Sequence, residues 1–138
     1  MTDAALVLPR RLAVRILGEA QTAQPRRIAG VVAYDSTGPA VFLPIRNASP
    51  QPETHVHHAG DDVSFAKGGV EGRGMGVWAY VTSQPVAEAR PSARDFTDSP
   101  WPDAIQLMVS LSTKGVLEMR AWERFGAEVR ERVLKIRD

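Results

Sequence analysis

At 138 residues, with 43% hydrophobic and 24% charged positions, the chain is too apolar for a disordered segment. It is long enough to bury roughly two-thirds of the surface its unfolded form exposes. Lys and Arg number 17 against 16 Asp and Glu, and a net charge of +1 supplies no field to gather nucleic acid or an acidic membrane. The absence of cysteine excludes disulfides and thiolate nucleophiles, leaving His, Asp, Glu and water as metal ligands.

One domain covering residues 1–138 is expected. The apolar run near the start has no basic region ahead of it and two arginines after Pro9, the wrong order for a signal peptide. No stretch approaches the roughly 20 apolar residues of a membrane span. The expectation is a cytoplasmic protein that binds neither nucleic acid nor membrane.

Taken in chain order, Leu12, Ala13, Ile16, Leu17 and Ala20 recur at three- and four-residue steps opposite Arg11, Arg15 and Glu19. The spacing predicts an amphipathic helix from Pro9 to Thr22, with Pro9 in its first turn. "IAGVVAY" (28–34), the turn-forming "DSTG" and "AVFLPI" (40–45) predict two buried antiparallel strands. "RNASPQPE" reads as a loop, and "THVHH" (54–58) as a short strand. The glycines of "AKGGVEGRGMG" (66–76) argue for a loop with one helical turn near Val63 to Ala66.

"GVWAYVTS" (76–83) predicts a strand, followed by a proline-punctuated loop to Ser92. Ser92 suits a helix N-cap with Asp95 three residues on, and Pro100 and Pro102 keep that helix short. "AIQLMVSLS", "VLEMRAWERF" and "AEVRERVLKI" predict a C-terminal β-meander, the last two by their period-two alternation. The fold class is therefore α/β (α+β), a mixed sandwich with a largely antiparallel sheet flanked by helices.

This order of elements, with "PRRIAGVVAY", "FLPIRNASPQPETHVH", "WAYVTSQP" and "PSARD", resembles the JAMM (MPN, or JAB) metallopeptidase family in its compact bacterial form. The likeness runs along almost the whole chain and implies a cytidine-deaminase-like sandwich. In the family pattern the second histidine is followed by seven residues and then Ser-x-x-Asp. Here Gln84 is followed by Pro85 to Pro91, then Ser92, Ala93, Arg94 and Asp95.

The resemblance also defines what is missing. The family holds one zinc with two histidines on a strand and the aspartate, while a glutamate moves the water's proton and the serine stabilises the oxyanion. Those positions correspond here to Thr82, Gln84, Asp95, Arg27 and Ser92. Hydroxyl and amide oxygens bind zinc far more weakly than imidazole, and a guanidinium neither ligates a metal nor accepts a proton near neutral pH. No catalytic residue, metal or cofactor is therefore expected. An Arg27–Asp95 ion pair with hydrogen bonds from Thr82 or Gln84 is expected to fill the vacated pocket.

What the resemblance implies is a pseudoprotease that acts as a binding or scaffold module through Arg27, Ser83, Gln84, Ser92 and Asp95. Its partners would be a ubiquitin-like or sulfur-carrier protein, an active JAMM protease, or a second copy in a homodimer. The alternative is a zinc metallopeptidase cleaving isopeptide or C-terminal peptide bonds, its metal on a rearranged set of His55, His57 and Asp95; the bland reading of "HVHH" is an exposed polar strand end. Trp78, Trp101 and Trp122 read as core or interface residues. "GGVEGRGMG" lacks the Gly-Lys-Ser/Thr ending of a phosphate-binding loop.

Overall fold

Val31 and Val32 are adjacent in sequence and both fully buried, which requires a strand covered on both faces. In the structure, a computed structural model, residues 4–85, 89–92, 95–96, 99–112 and 118–138 are described. The elements are β1 (Leu6–Pro9), α1 (Arg10–Ala23), β2 (Ala29–Asp35), β3 (Gly38–Ile45), α2 (Gly60–Gly72), β4 (Gly76–Gln84), β5 (Ile105–Ser110), β6 (Glu118–Phe125), β7 (Glu128–Arg132) and β8 (Leu134–Arg137). Six strands form one sheet in the order β3-β2-β4-β5-β6-β7. Every pair in it is antiparallel except β4–β5.

The alternation of β2 feeds two cores. Val32 packs with Phe42, Val81, Leu107 and Val109 under Leu12, Ala13, Ile16 and Ala20 of α1. Val31, Ala29 and Ala33 face the other way, with Ile45, Tyr80 and Ala66 and Val70 of α2. The turn between β2 and β3 is set by Asp35, whose side chain accepts the Thr37 N–H at 2.8 Å, and by Gly38 at φ +113°. Strands β2 to β5 thus lie where the apolar runs placed them.

Four expectations are corrected. The glycine-rich segment is no loop: α2 continues to Gly72 and ends just before Gly74 at φ +67°. Asp61 and Asp62 stand at its positive N-terminal end, and burial of Ala66 and Val70 on the sheet outweighs the helix cost of the glycines, about 1 kcal/mol each. "THVHH" forms no strand; residues 55–59 are irregular. Finally, the meander stops at Arg132, and β8 leaves the large sheet to pair in parallel with β1, an element the sequence did not announce. Pro9 accordingly closes β1 and flanks α1 from outside instead of opening its first turn.

Candidate functional site

The parallel pair β4–β5 requires a crossover, and that crossover carries Ser92 and Asp95 past the Gln84 end of β4. Ligand sites in such sheets favour the carboxyl end of a strand beside a crossover. A cleft of about 740 Å³ opens there, lined among others by Arg27, Thr54, Tyr80, Thr82, Gln84, Ser92 and Asp95. Tyr80, Thr82 and Gln84 reach it because alternate residues of β4 share a face.

Ser83, between them, does not line the cleft. Fully buried, its hydroxyl accepts the Ile28 N–H at 2.8 Å, so the expected binding residue is instead a fastener between β4 and the start of β2. Its carbonyl accepts a hydrogen bond from Arg27 Nε at 2.7 Å.

Arg27 is 6% exposed. Its backbone N–H donates to the Pro52 carbonyl at 2.7 Å, and its Nη1 reaches the Thr54 carbonyl at 3.3 Å. Nη2 lies 3.5 Å from Asp95 Oδ1. The expected ion pair is therefore present, though long for a charge-assisted bond, which is ordinarily about 2.7–2.9 Å. Asp95 is held from its other side: Oδ2 accepts the Ser92 N–H at 2.6 Å and the Ser92 hydroxyl at 3.1 Å. Ser92 Oγ in turn accepts the Asp95 N–H at 3.3 Å, a reciprocal capping box in which Asp replaces Glu.

The hydrogen bond expected from Thr82 is not made. Thr82 is 2% exposed, and its Oγ1 has no hydrogen-bond partner among the described residues.

The loop that closes the cleft is organised by Asn47, which the sequence placed in a turn without assigning it a role. Its Nδ2 donates to the carbonyls of Arg27 at 3.1 Å and His55 at 2.9 Å, and its Oδ1 accepts the N–H of Ser49 and of His57. A single amide thereby ties residues 47–57 to the base of the site.

Within the histidine cluster, His58 is the anchored member. Its Nδ1 bonds the Arg46 carbonyl at 2.8 Å, so that ring nitrogen donates, and Nε2 then accepts from the Tyr80 hydroxyl at 2.7 Å. Burial lowers its pKa from the ordinary 6.5, with repulsion from His57 acting in the same direction and the Arg46 carbonyl and Asp62 opposing.

No family model matches the sequence, and no curated protein does. Solved structures do. A protein from Desulfitobacterium hafniense superposes with a TM-score of 0.81 at 20% identity, covering 96% of this chain and 93% of its own. A JAB1/MPN domain protein from Archaeoglobus fulgidus gives 0.65 at 18% identity over 96% of this chain and 99% of its own. The chain has the JAMM/MPN fold. A third structure, described as a JAMM metalloprotease-like zinc site in the proteasome and signalosome, gives 0.61 at 14% identity over 98% and 100%.

The zinc associated with the JAMM/MPN fold does not fit the residues found here. A guanidinium shares the pocket with Asp95, and Thr82 and Gln84 offer only neutral oxygens. The alternative set is His55, His57 and Asp95. All three line the cleft, yet no three His, Asp or Glu side chains come together to hold an ion among the described residues. His55 and His57 lie in an irregular segment, so the shared face of an extended strand does not arise.

Proposed function

We propose that this chain is a JAMM-like binding module without peptidase chemistry, its cleft receiving part of another protein. The observation that carries this reading is the buried Arg27 guanidinium against Asp95. A permanent cation there repels a dication and is unable to act as a general base. The surrounding side chains still define a cleft within the roughly 300–1,000 Å³ range of ligand pockets.

A partner tail entering as an extended segment is consistent with the way such clefts recognise peptides. The candidate partners are a ubiquitin-like or sulfur-carrier protein, an active JAMM protease, or a second copy of the chain.

Metal analysis of protein purified without a histidine tag tests the reading: no stoichiometric zinc and no peptide hydrolysis are expected. Arg27→Glu, Thr82→His and Gln84→His together should confer zinc affinity that no single change confers, because ligands act as a set. Tight zinc and hydrolysis in the unaltered protein would overturn it.

A further inference from the structure

Resting on the reading of the cleft as a binding site, we propose that its inner end takes the free carboxylate of a polypeptide C-terminus, held by Arg27 and Thr82. One unpaired group and one with donors to spare point to this ligand. The first is the Thr82 hydroxyl, 2% exposed and without a hydrogen-bond partner among the described residues, on the wall of the cleft. Leaving a buried hydroxyl unpaired costs free energy that an incoming acceptor removes.

The second is the outer edge of the Arg27 guanidinium. Nε makes one good bond, at 2.7 Å to Ser83, but Nη1 and Nη2 contact Thr54 and Asp95 only at 3.3 and 3.5 Å. Both are longer than the roughly 2.7–2.9 Å of a bond between guanidinium and carboxylate. A planar fork with spare donors, on the same cleft as a hydroxyl, matches the two oxygens of a carboxylate, and an amide has only one.

Asp95 is the anion that stands against this assignment, and its charge is compensated where it lies. Besides Arg27, it accepts both the N–H and the hydroxyl of Ser92. The cleft contains no carboxylate other than Asp95 among its lining residues. The space, about 740 Å³, far exceeds an acetate-sized ion and has room for the last residues of a chain. Beyond Arg27 the walls run along Ser49, Gln51, Thr54 and His57, polar groups suited to a peptide backbone.

The test is an NMR titration of the full chain with acetyl-(Gly-Ala)₃ bearing a free C-terminal carboxylate, with its C-terminal amide, and with sodium acetate. The free acid is expected to shift the Arg27 Nε–H and Thr82 signals saturably at millimolar concentration. The amide and acetate should each bind at least about tenfold more weakly, the cost of losing a charged hydrogen bond or the chain contacts. Thr82→Val should weaken the acid peptide about fivefold. Its melting temperature should be unchanged or raised, because the hydroxyl it loses has no partner among the described residues; the loss of affinity is then not a loss of fold. Arg27→Lys, which keeps the charge without the fork, should also weaken it.

Equal binding of acid and amide would overturn the carboxylate assignment while leaving the binding-module reading intact. Acetate as tight as the peptide would overturn the chain terminus, and no saturable shift with any probe would overturn the proposal altogether. Zinc-dependent hydrolysis would instead strike the reading on which it rests.

Discussion

Breaking the Arg27–Asp95 contact gives the sharpest test of how the site is held together. At 3.5 Å, with the two side chains 5% and 15% exposed, the Coulombic attraction is about 4–5 kcal/mol at an effective dielectric of about 20. Desolvation opposes it, and truncating one member of a buried pair typically costs about 3–5 kcal/mol. Here Asp95 keeps both Ser92 donors when Arg27 is lost, which lowers the figure. Arg27→Met, which also leaves the Ser83 carbonyl without its donor, is therefore expected to destabilise by about 2–4 kcal/mol.

Asp95→Ala removes the pair and the capping box together, so its own cost does not isolate the contact. A double-mutant cycle does, because the capping loss is common to both backgrounds and cancels. Urea unfolding of wild type, Arg27→Met, Asp95→Ala and the double variant should give a coupling energy of about 1–2 kcal/mol. A coupling indistinguishable from zero would refute the claim that the guanidinium neutralises Asp95.

Other consequences are independent of that pair. The His58 pKa is lowered in the folded state, so below about 6.5 the unfolded chain takes up the proton first. The stability contributed by neutral His58 is present above that value and lost as pH falls through it. The urea midpoint should drop between about pH 7.5 and 5.5, and His58→Gln should flatten the profile; an unchanged slope would refute the assignment. At Gly30 a Cβ would sit 2.6 Å from both the Leu43 carbonyl oxygen and the Phe42 ring, so Gly30→Ala should cost about 2–3 kcal/mol in the same assay. Gly68 lies inside α2 with nothing within 4 Å of an added Cβ, and Gly68→Ala should raise stability by about 0.5–1 kcal/mol, read as a higher melting temperature.

The elements that could be read from the sequence are those whose cause is local. Three- and four-residue spacing fixed the buried face of α1, and Val-rich runs bounded by turn residues fixed β2, β3, β4 and β5. The Ser92–Asp95 box was legible for the same reason, since its partners are three residues apart. The spacing after Gln84 already pointed to a JAMM-like frame.

Tertiary structure decided the rest. Helix α2 exists because Ala66 and Val70 find a sheet to cover, a gain that glycine propensities do not contain. The β1–β8 pair joins the two ends of the described chain, and four-residue strands carry too little pattern to declare a partner so distant. In the site itself, Arg27 meets a residue 68 positions away, Ser83 turns out of the cleft, and the Thr82 hydroxyl is left unpaired among the described residues. Sequence specifies which groups are available; which of them are satisfied depends on neighbours that only the folded chain brings within hydrogen-bond reach.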